Sequence, residues 1–414
     1  MPKKKINHNK KHAVQFIAVI LISIVITGLW WAKNNTAIFT KSIKQADINK
    51  NNLANPDSTF TLKQAGIGDK TLLIPEGFSL TEYAKGIPSA RFFTFDDNNT
   101  MYVGTKDNDK IYSVRDLDGD GIAESVKSID SGLNVPHSVT YYKGDLYLAE
   151  QDKISVYKQI KPDGTYLSKQ VLVSGLPSGN KLQGGGHTTR TIVIGPDQKM
   201  YVSIGSSCNV CNEKDNRRAT IMQFDLDGKN GKVYATGLRN TVGFMFWQNK
   251  MYGADMGRDQ IGNDIPPEEI NIIEQGKNYG WPYCYGNLNN NPEYKDKLKY
   301  CQQSTMPPIV QMQAHSAPLG ISALNAPALS SWPKTFQNGF LVAFHGSWNR
   351  TVPTGFKVVW VDFNQETPRV FNFVTGWLEK NAEAWGRPVG LGFDNKGNLY
   401  ISDDKQGIIY KLSY

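Results

Sequence analysis

Cysteine is scarce: the 414 residues contain four, and only Cys208 and Cys211 have CxxC spacing. A zinc site built from two CxxC pairs is therefore disfavoured, and two disulfides are expected, Cys208 with Cys211 and Cys284 with Cys301. No CxxCH run is present, so any electrons the chain handles must leave by an external carrier. Also missing are a Walker loop, a dinucleotide fingerprint after a strand, an HExxH pair and a GxSxG elbow, each of which would have announced its own chemistry. A basic body is missing too. Of the net charge of +8, five charges are Lys3, Lys4, Lys5, Lys10 and Lys11, which leaves +3 for everything after residue 12. No Lys/Arg stripe interleaves with aromatics, so nucleic acid is not an expected partner.

One long apolar run is present, AVQFIAVILISIVITGLWWA at residues 13–32. At about 1.5 Å per residue it spans a hydrocarbon core of roughly 30 Å. The lysines ahead of it and the interfacial Trp30 and Trp31 predict a single N-terminal transmembrane helix with a cytoplasmic leader at 1–12. A cleaved signal peptide has the same layout, but no clear small-x-small site follows. The body is thus expected at the periplasmic face, anchored to the inner membrane, or secreted if the leader is cleaved; two disulfides suit that compartment. Residues 33–70, polar and rich in Asn and Lys, read as a tether.

From residue 71 onward one pattern recurs: an apolar strand, a short Asp/Asn/Gly/Lys turn, a second strand ending in an aromatic-aliphatic pair, then a third. Copies begin at Arg91, His137, Arg190, Val242, Gly339 and Val389. Aromatics at 11%, 38 Gly and 20 Pro suit strands joined by many turns. A period of roughly 45 to 60 residues is one four-stranded propeller blade, so the fold class is all-β, a six-bladed β-propeller over 71–414. Ring closure is expected to pair FSLTEYAKGI, from Phe78, with the last blade, and the fifth copy is interrupted by an insertion over 279–318.

In such a ring the loops entering the innermost strands converge on the axis. Residues just ahead of the repeats are therefore candidates: Arg91, His137, His187, the GLRN of 237–240, the SAPLG of 316–320 and the WGRP of 385–388. Several His and Arg side chains around one funnel imply an anionic ligand bearing carboxylates or phosphates. His187 stands out because three glycines, 184–186, precede it. Glycine in such a run is kept where side chains would obstruct a turn or a ligand, although a loop with a surface His has the same look.

The stretches GGGHTTRTIVIGPDQKMYVSIG, TGLRNTVGF, EEINIIEQGKNYGWP, GSWNRTVPTGFKVV and GRPVGLGFDNKGNLYISDD, in that order, resemble the soluble sugar dehydrogenases dependent on pyrroloquinoline quinone (PQQ), including aldose sugar and sorbosone dehydrogenases. The resemblance implies a quinoprotein oxidising an aldose or related sugar hydroxyl by hydride transfer to PQQ. It implies His187 as general base, a task suited to a neutral imidazole. It implies Arg239 beside the reactive oxygens of the quinone, and Asn240, Arg387, His137 and Arg350 as further contacts to PQQ. Calcium is implied at the backbone carbonyls of Gly257 and Arg258, oxygen donors that suit a hard cation. Electrons would pass to a membrane quinone or a small acceptor. The chain departs from the pattern at Gly186 and Ser206, where aspartates stand in well-studied glucose enzymes, and at Trp385, where a second arginine stands. Two alternatives are a gluconolactonase-like propeller hydrolase, which needs an axial divalent metal, and a non-catalytic binding propeller. DLDGDGIAE, with Asp116, Asp118, Asp120 and Glu124, begins like a calcium loop but has Lys127 where a bidentate Glu belongs; an Asp/Gly turn is equally consistent.

Overall fold

A computed structural model describes residues 60–179, 186–324 and 327–414. The expected leader, the transmembrane span at 13–32, the tether up to residue 59, and Gly184 and Gly185 lie outside the described residues. Among the described residues no helix is long and apolar enough to cross a membrane.

Six four-stranded antiparallel sheets follow one another along the chain. Alternation explains their packing, because successive side chains in a strand point to opposite faces. In the strand Met101–Thr105, Met101 and Val103 pack toward the last blade while Tyr102 packs toward the second. The strand Lys199–Ile204 divides likewise, with Met200 and Val202 on one side and Tyr201 on the other. Each of the six interfaces between blades thus has its own apolar cluster.

The innermost strands, Ala90–Phe95, Ser138–Tyr142, Arg190–Ile194, Thr241–Trp247, Pro318–Ala323 and Pro388–Phe393, contact one another in a closed ring. Near the axis there is no room for side chains between some of them. A Cβ on Gly243 would lie 1.8 Å from the Leu319 carbonyl oxygen, and one on Gly320 would lie 2.3 Å from that of Val389. Closure is as expected: Ser79–Ala84 pairs antiparallel with Ile408–Ser413 as the outer strand of the sixth blade. A closed ring leaves no innermost edge exposed.

Two boundaries differ from the sequence reading. Leu62–Ile67 pairs with Lys70–Pro75 in a hairpin, so the expected tether ends before residue 62. Ile67, Leu72 and Ile74 of that hairpin join the largest apolar cluster, which gives those residues an ordered place. The insertion belongs to the fourth blade rather than the fifth: the chain leaves after Glu268–Ile273 and returns as Val310–Met312, which pairs with it. The fifth copy accordingly begins at Pro318, not Gly339. The insertion carries a small hairpin and the helix Leu298–Ser304, clasped by a disulfide between Cys284 and Cys301; Cys208 and Cys211 form the other expected disulfide.

Candidate active site

Antiparallel pairing decides which loops share an end of the ring. Within all six blades, the start of the first strand faces the end of the second: Ala90 with Thr105, Ser138 with Ala149, Arg190 with Ile204, Thr241 with Asp255, Pro318 with Phe344, and Pro388 with Asp403. Short turns close the opposite end, so that two sets of loops, before first strands and after second strands, converge together. They enclose a cavity of about 470 Å³. Arg91, His187, Arg239, Asn240 and Arg387 come from the first set; Lys106, Gly257, Asp259, His345, Trp348 and Asn349 come from the second. Val242, Leu319 and Met256 give the wall an apolar area. A second cavity, about 360 Å³, shares His187, Arg239, Asp259 and Trp348 with the first and adds Ser207, Cys208 and Asn209. Trp348 is 68% exposed at this junction.

His187 is half-buried and held from one side. Its backbone N–H donates to the Ser206 carbonyl (3.1 Å), and its Nδ1 lies 2.9 Å from both that carbonyl and the Ser206 Oγ. Ser206 Oγ donates its own hydrogen to the Cys208 carbonyl at 2.8 Å. Both atoms facing Nδ1 are therefore acceptors, so Nδ1 carries the hydrogen and Nε2 keeps its lone pair. Withdrawal from bulk water, together with the Arg239 guanidinium, pushes the ring's pKa down to about 3. Close backbone approach explains two glycines here. A Cβ on Gly186 would sit 2.5 Å from the Ser207 carbonyl oxygen, and one on Gly205 would sit 2.6 Å from the Cβ of His187.

Arg239 is 5% exposed and pinned in place. Its Nε donates to the Asn209 carbonyl (3.0 Å), Nη1 to the carbonyls of Gly257 (2.8 Å) and Met256 (3.3 Å), and Nη2 to Asn209 Oδ1 (3.0 Å). Burial lowers its pKa against the pull of Asp259, Asp255 and Glu268. Glu268 accepts from the backbone N–H groups of Gly257 (2.8 Å) and Ala317 (3.0 Å), tying the fourth blade to the fifth; burial raises it to about 8. Arg387 donates through Nε to the His345 carbonyl and through Nη2 to that of Gly346. His345 Nε2 lies 3.0 Å from both carboxylate oxygens of Asp404, which also pairs with Arg91 at 3.2 Å. Burial would raise Asp404, but the His345 ring, Arg91 and Arg387 outweigh it and hold the carboxyl well below the usual range. Burial takes His345 down to about 4.

Of the residues expected from sequence, the structure brings His187, Arg239, Asn240, Arg387 and Gly257 into one wall. His137 is not among them. Its ring is fully buried, packs 4.6 Å from Phe92 and does not line the cavity. Arg350 also falls outside the wall, because its Nη2 pairs with Asp264 at 2.5 Å and draws the side chain away. The Arg258 side chain pairs with Glu293 at 2.5 Å, and the Gly257 carbonyl, expected as a calcium ligand, accepts from Arg239 at 2.8 Å. Trp385 donates to the Gly376 carbonyl within the apolar cluster between the fifth and sixth blades. The carboxylates of Asp116, Asp118, Asp120 and Glu124 lie together on the first blade, where they accept from their own loop's N–H groups, as an Asp/Gly turn does.

Residues 72–414 match the model of the family described as TrAA12-like. An uncharacterized protein of Borreliella burgdorferi is 30% identical over 359 residues, 83% of this chain and 91% of that one. The pyrroloquinoline quinone-dependent pyranose dehydrogenase of Coprinopsis cinerea is 23% identical over 81% of this chain, which spans 54% of that protein's length. The holo form of that enzyme's PQQ domain superposes with a TM-score of 0.71 at 21% identity, covering 84% of this chain and 98% of the domain. That likeness shows the propeller fold.

Proposed function

We propose that this chain, which belongs to the TrAA12-like family, is a quinoprotein that oxidises a hydroxyl of an aldose or related sugar, with PQQ held in the axial cavity. One observation carries the reading. A neutral imidazole, its Nδ1 hydrogen committed to Ser206, presents Nε2 where a cation-lined cavity meets a second, more neutral one.

The donor set fits a flat, multiply anionic quinone. Arg91, Lys106, Arg239 and Arg387 supply positive charge around the apolar area of Val242, Leu319 and Met256. Two buried polar atoms of the wall, Arg91 Nε and Asn349 Oδ1, have no partner within the protein and are free to meet a ligand. Arg91, Lys106 and Arg387 would hold the carboxylates, and Asn240 would add a polar contact. When bound, PQQ supplies the two-electron acceptor. His187 Nε2 takes the hydroxyl proton of the sugar, and the Ser206 carbonyl and Oγ keep the ring oriented while it is charged. Arg239, already fixed by Asn209 and Gly257, is a preorganised cation that costs no rearrangement as negative charge develops.

Calcium at the Gly257 carbonyl does not fit as the residue stands. The Gly257 carbonyl accepts from Arg239, and a dication on that oxygen would lie against a guanidinium. No step is assigned to it. A lactonase-type hydrolase is disfavoured by the same cationic wall, since its axial metal needs acidic and Asn ligands. The body is periplasm-facing and anchored through residues 13–32, and passes electrons to a membrane quinone or small acceptor; the hydropathy and basic leader of the sequence support this.

The test is a titration of purified protein with PQQ, followed by absorbance without sugar, then a screen of aldoses with an artificial acceptor. Saturable uptake and sugar-dependent turnover are expected. No uptake of PQQ refutes the reading and leaves a bare binding propeller.

A further inference from the structure

We infer that Asn209, set in the four-residue ring closed by the Cys208–Cys211 disulfide, is a positioning residue that aligns Arg239 and, through its neighbours, His187. The inference deepens the reading above and rests on it for the identity of the ligand.

The argument is one of connectivity. Asn209 accepts two hydrogen bonds from Arg239, Nε to its carbonyl and Nη2 to its Oδ1, both 3.0 Å. The same Oδ1 accepts the Asp259 N–H at 2.8 Å, and Asn209 Nδ2 donates to the Asp259 carbonyl at 3.1 Å. One residue therefore ties the cation to the backbone of Asp259, whose carboxylate faces it across 3.5 Å. The residue before it, Cys208, gives its carbonyl to Ser206 Oγ, and Ser206 in turn holds His187 Nδ1. Ser207 is clamped at the other side, its N–H and Oγ both 2.6 Å from the Glu213 carboxylate. The base and the fixed cation thus hang from one short loop, and that loop has neither strand nor helix to stiffen it. Its covalent stiffener is the cystine. Backbone carbonyls can serve as precise acceptors only while the peptide planes that carry them are held, and closing the ring between residues 208 and 211 holds two of them.

The alignment is therefore sensitive to thiol reagents. A dithiol delivering two electrons and two protons converts the cystine to two thiols and leaves as its own disulfide. The planes of 208 to 211 are then free to turn, and Arg239 loses its Asn209 acceptors while Ser206 loses its anchor.

The experiment uses the full chain carrying Cys284→Ser and Cys301→Ser, so that dithiothreitol acts on the remaining cystine alone, with free thiols counted before and after. Two readouts are taken on each redox state: the ring signals of isotope-labelled His187 together with the Nε–H signal of Arg239, in protein without PQQ, and the affinity for PQQ by absorbance. Reduction is expected to shift the His187 signals, to expose the Arg239 Nε–H to exchange with water, and to weaken PQQ binding about tenfold, the loss of one charge-assisted hydrogen bond. Asn209→Ala in the wild-type chain, which removes the Oδ1 acceptor of Nη2 but keeps the carbonyl that Nε meets, should shift the Arg239 Nη signals without touching the disulfide. Fully reduced, folded protein whose His187 and Arg239 signals are unchanged overturns the inference, whatever the affinity does. Protein that binds no PQQ in either state refutes the functional reading, and the magnetic resonance arm still decides the positioning role.

Discussion

Replacing His187 by Gln tests the proposed chemistry most directly. The variant keeps a polar side chain but has no basic lone pair to receive a proton. At pH 7 the native ring, with a pKa of about 3, is neutral and ready to accept. A positioned base accelerates proton transfer by about 10² to 10⁴, so the variant should lose about 3 to 5 kcal/mol of barrier lowering. Little else should change. Ser206 Oγ still donates to Cys208, and no charge is removed from the wall formed by Arg91, Lys106 and Arg387. PQQ affinity should accordingly stay within about threefold, against a kcat down at least a hundredfold. The assay is a PQQ titration followed by turnover with an artificial acceptor at saturating sugar. A companion measurement follows the native ring by magnetic resonance in protein without PQQ, where it should remain neutral down to pH 5. A variant with near-native kcat and a raised KM would refute the assignment, since that pattern belongs to a residue that only binds.

Arg387→Ala should weaken PQQ binding by about ten- to a hundredfold, whereas Arg350→Ala, whose partner is Asp264, should leave it within about threefold; titration of both variants checks where the wall ends. In protein without PQQ, His187 and His345 are held neutral below the ordinary pKa of 6.5, so their contribution to stability is complete above that value and lost as pH falls through the range down to about 4 and 3. Those two rings alone should cost about 3 kcal/mol from pH 7 to pH 5, allowing for the partial exposure of His187, while Glu268 and Glu269, raised to about 8 by burial, act in the opposite direction; the imidazole share is measured as the difference in pH dependence of denaturant unfolding between the native protein and His345→Asn, expected to be about half of it. Gly243→Ala should destabilise by about 3 kcal/mol or more, because its Cβ would meet the Leu319 carbonyl; a melting temperature within a degree of the native one would contradict the close packing of the inner ring. PQQ in excess should raise the melting temperature, since it binds the folded state alone.

Most of the architecture was legible because it rests on the period of two, which survives wherever one face of a strand is buried on each neighbour. The strand Ser79–Ala84 could be assigned to the last blade because a closed ring needs an early strand to complete the sheet that ends the chain. The hairpin of 62–75 was hidden because its first strand, LKQAGI, has one fully buried residue and so little alternation. The site was half legible for a similar reason. Residues ahead of the first strands were sought, and Arg91, His187, Arg239, Asn240 and Arg387 were found. After the second strands the sequence points to Gly257, Arg258 and Arg350 by resemblance alone, and antiparallel register adds Lys106, Asp259, His345 and Asn349 at the same end. His137 shows the limit of the positional argument. It directly precedes its strand, as Asn240 and Arg387 precede theirs, yet its ring is buried against Phe92, so position ahead of a first strand does not by itself bring a side chain to the cavity.

The charges of the wall explain why the cavity persists instead of collapsing. Arg91, Lys106, Arg239 and Arg387 face it, while Asp404 and Asp259 stand close enough to pair with Arg91 and Arg239. Glu268 adds less, since at a pKa of about 8 it is largely protonated at neutral pH. Among the residues that line the cavity, four cations thus meet two carboxyls, Asp259 and the largely protonated Glu268. Such a surplus is unfavourable in a partly dry site unless an anion joins it, and side chains alone would relax by swinging into water. They are prevented from doing so because the guanidinium hydrogens of Arg239 and Arg387 are bonded to backbone carbonyls of the second-strand loops, and the ring of blades fixes those carbonyls in turn. The rigidity of the propeller is thus used to keep like charges together around a space that an anion can fill. A flexible loop scaffold with the same residues would not hold that arrangement, which is why the functional reading depends on the fold as much as on His187.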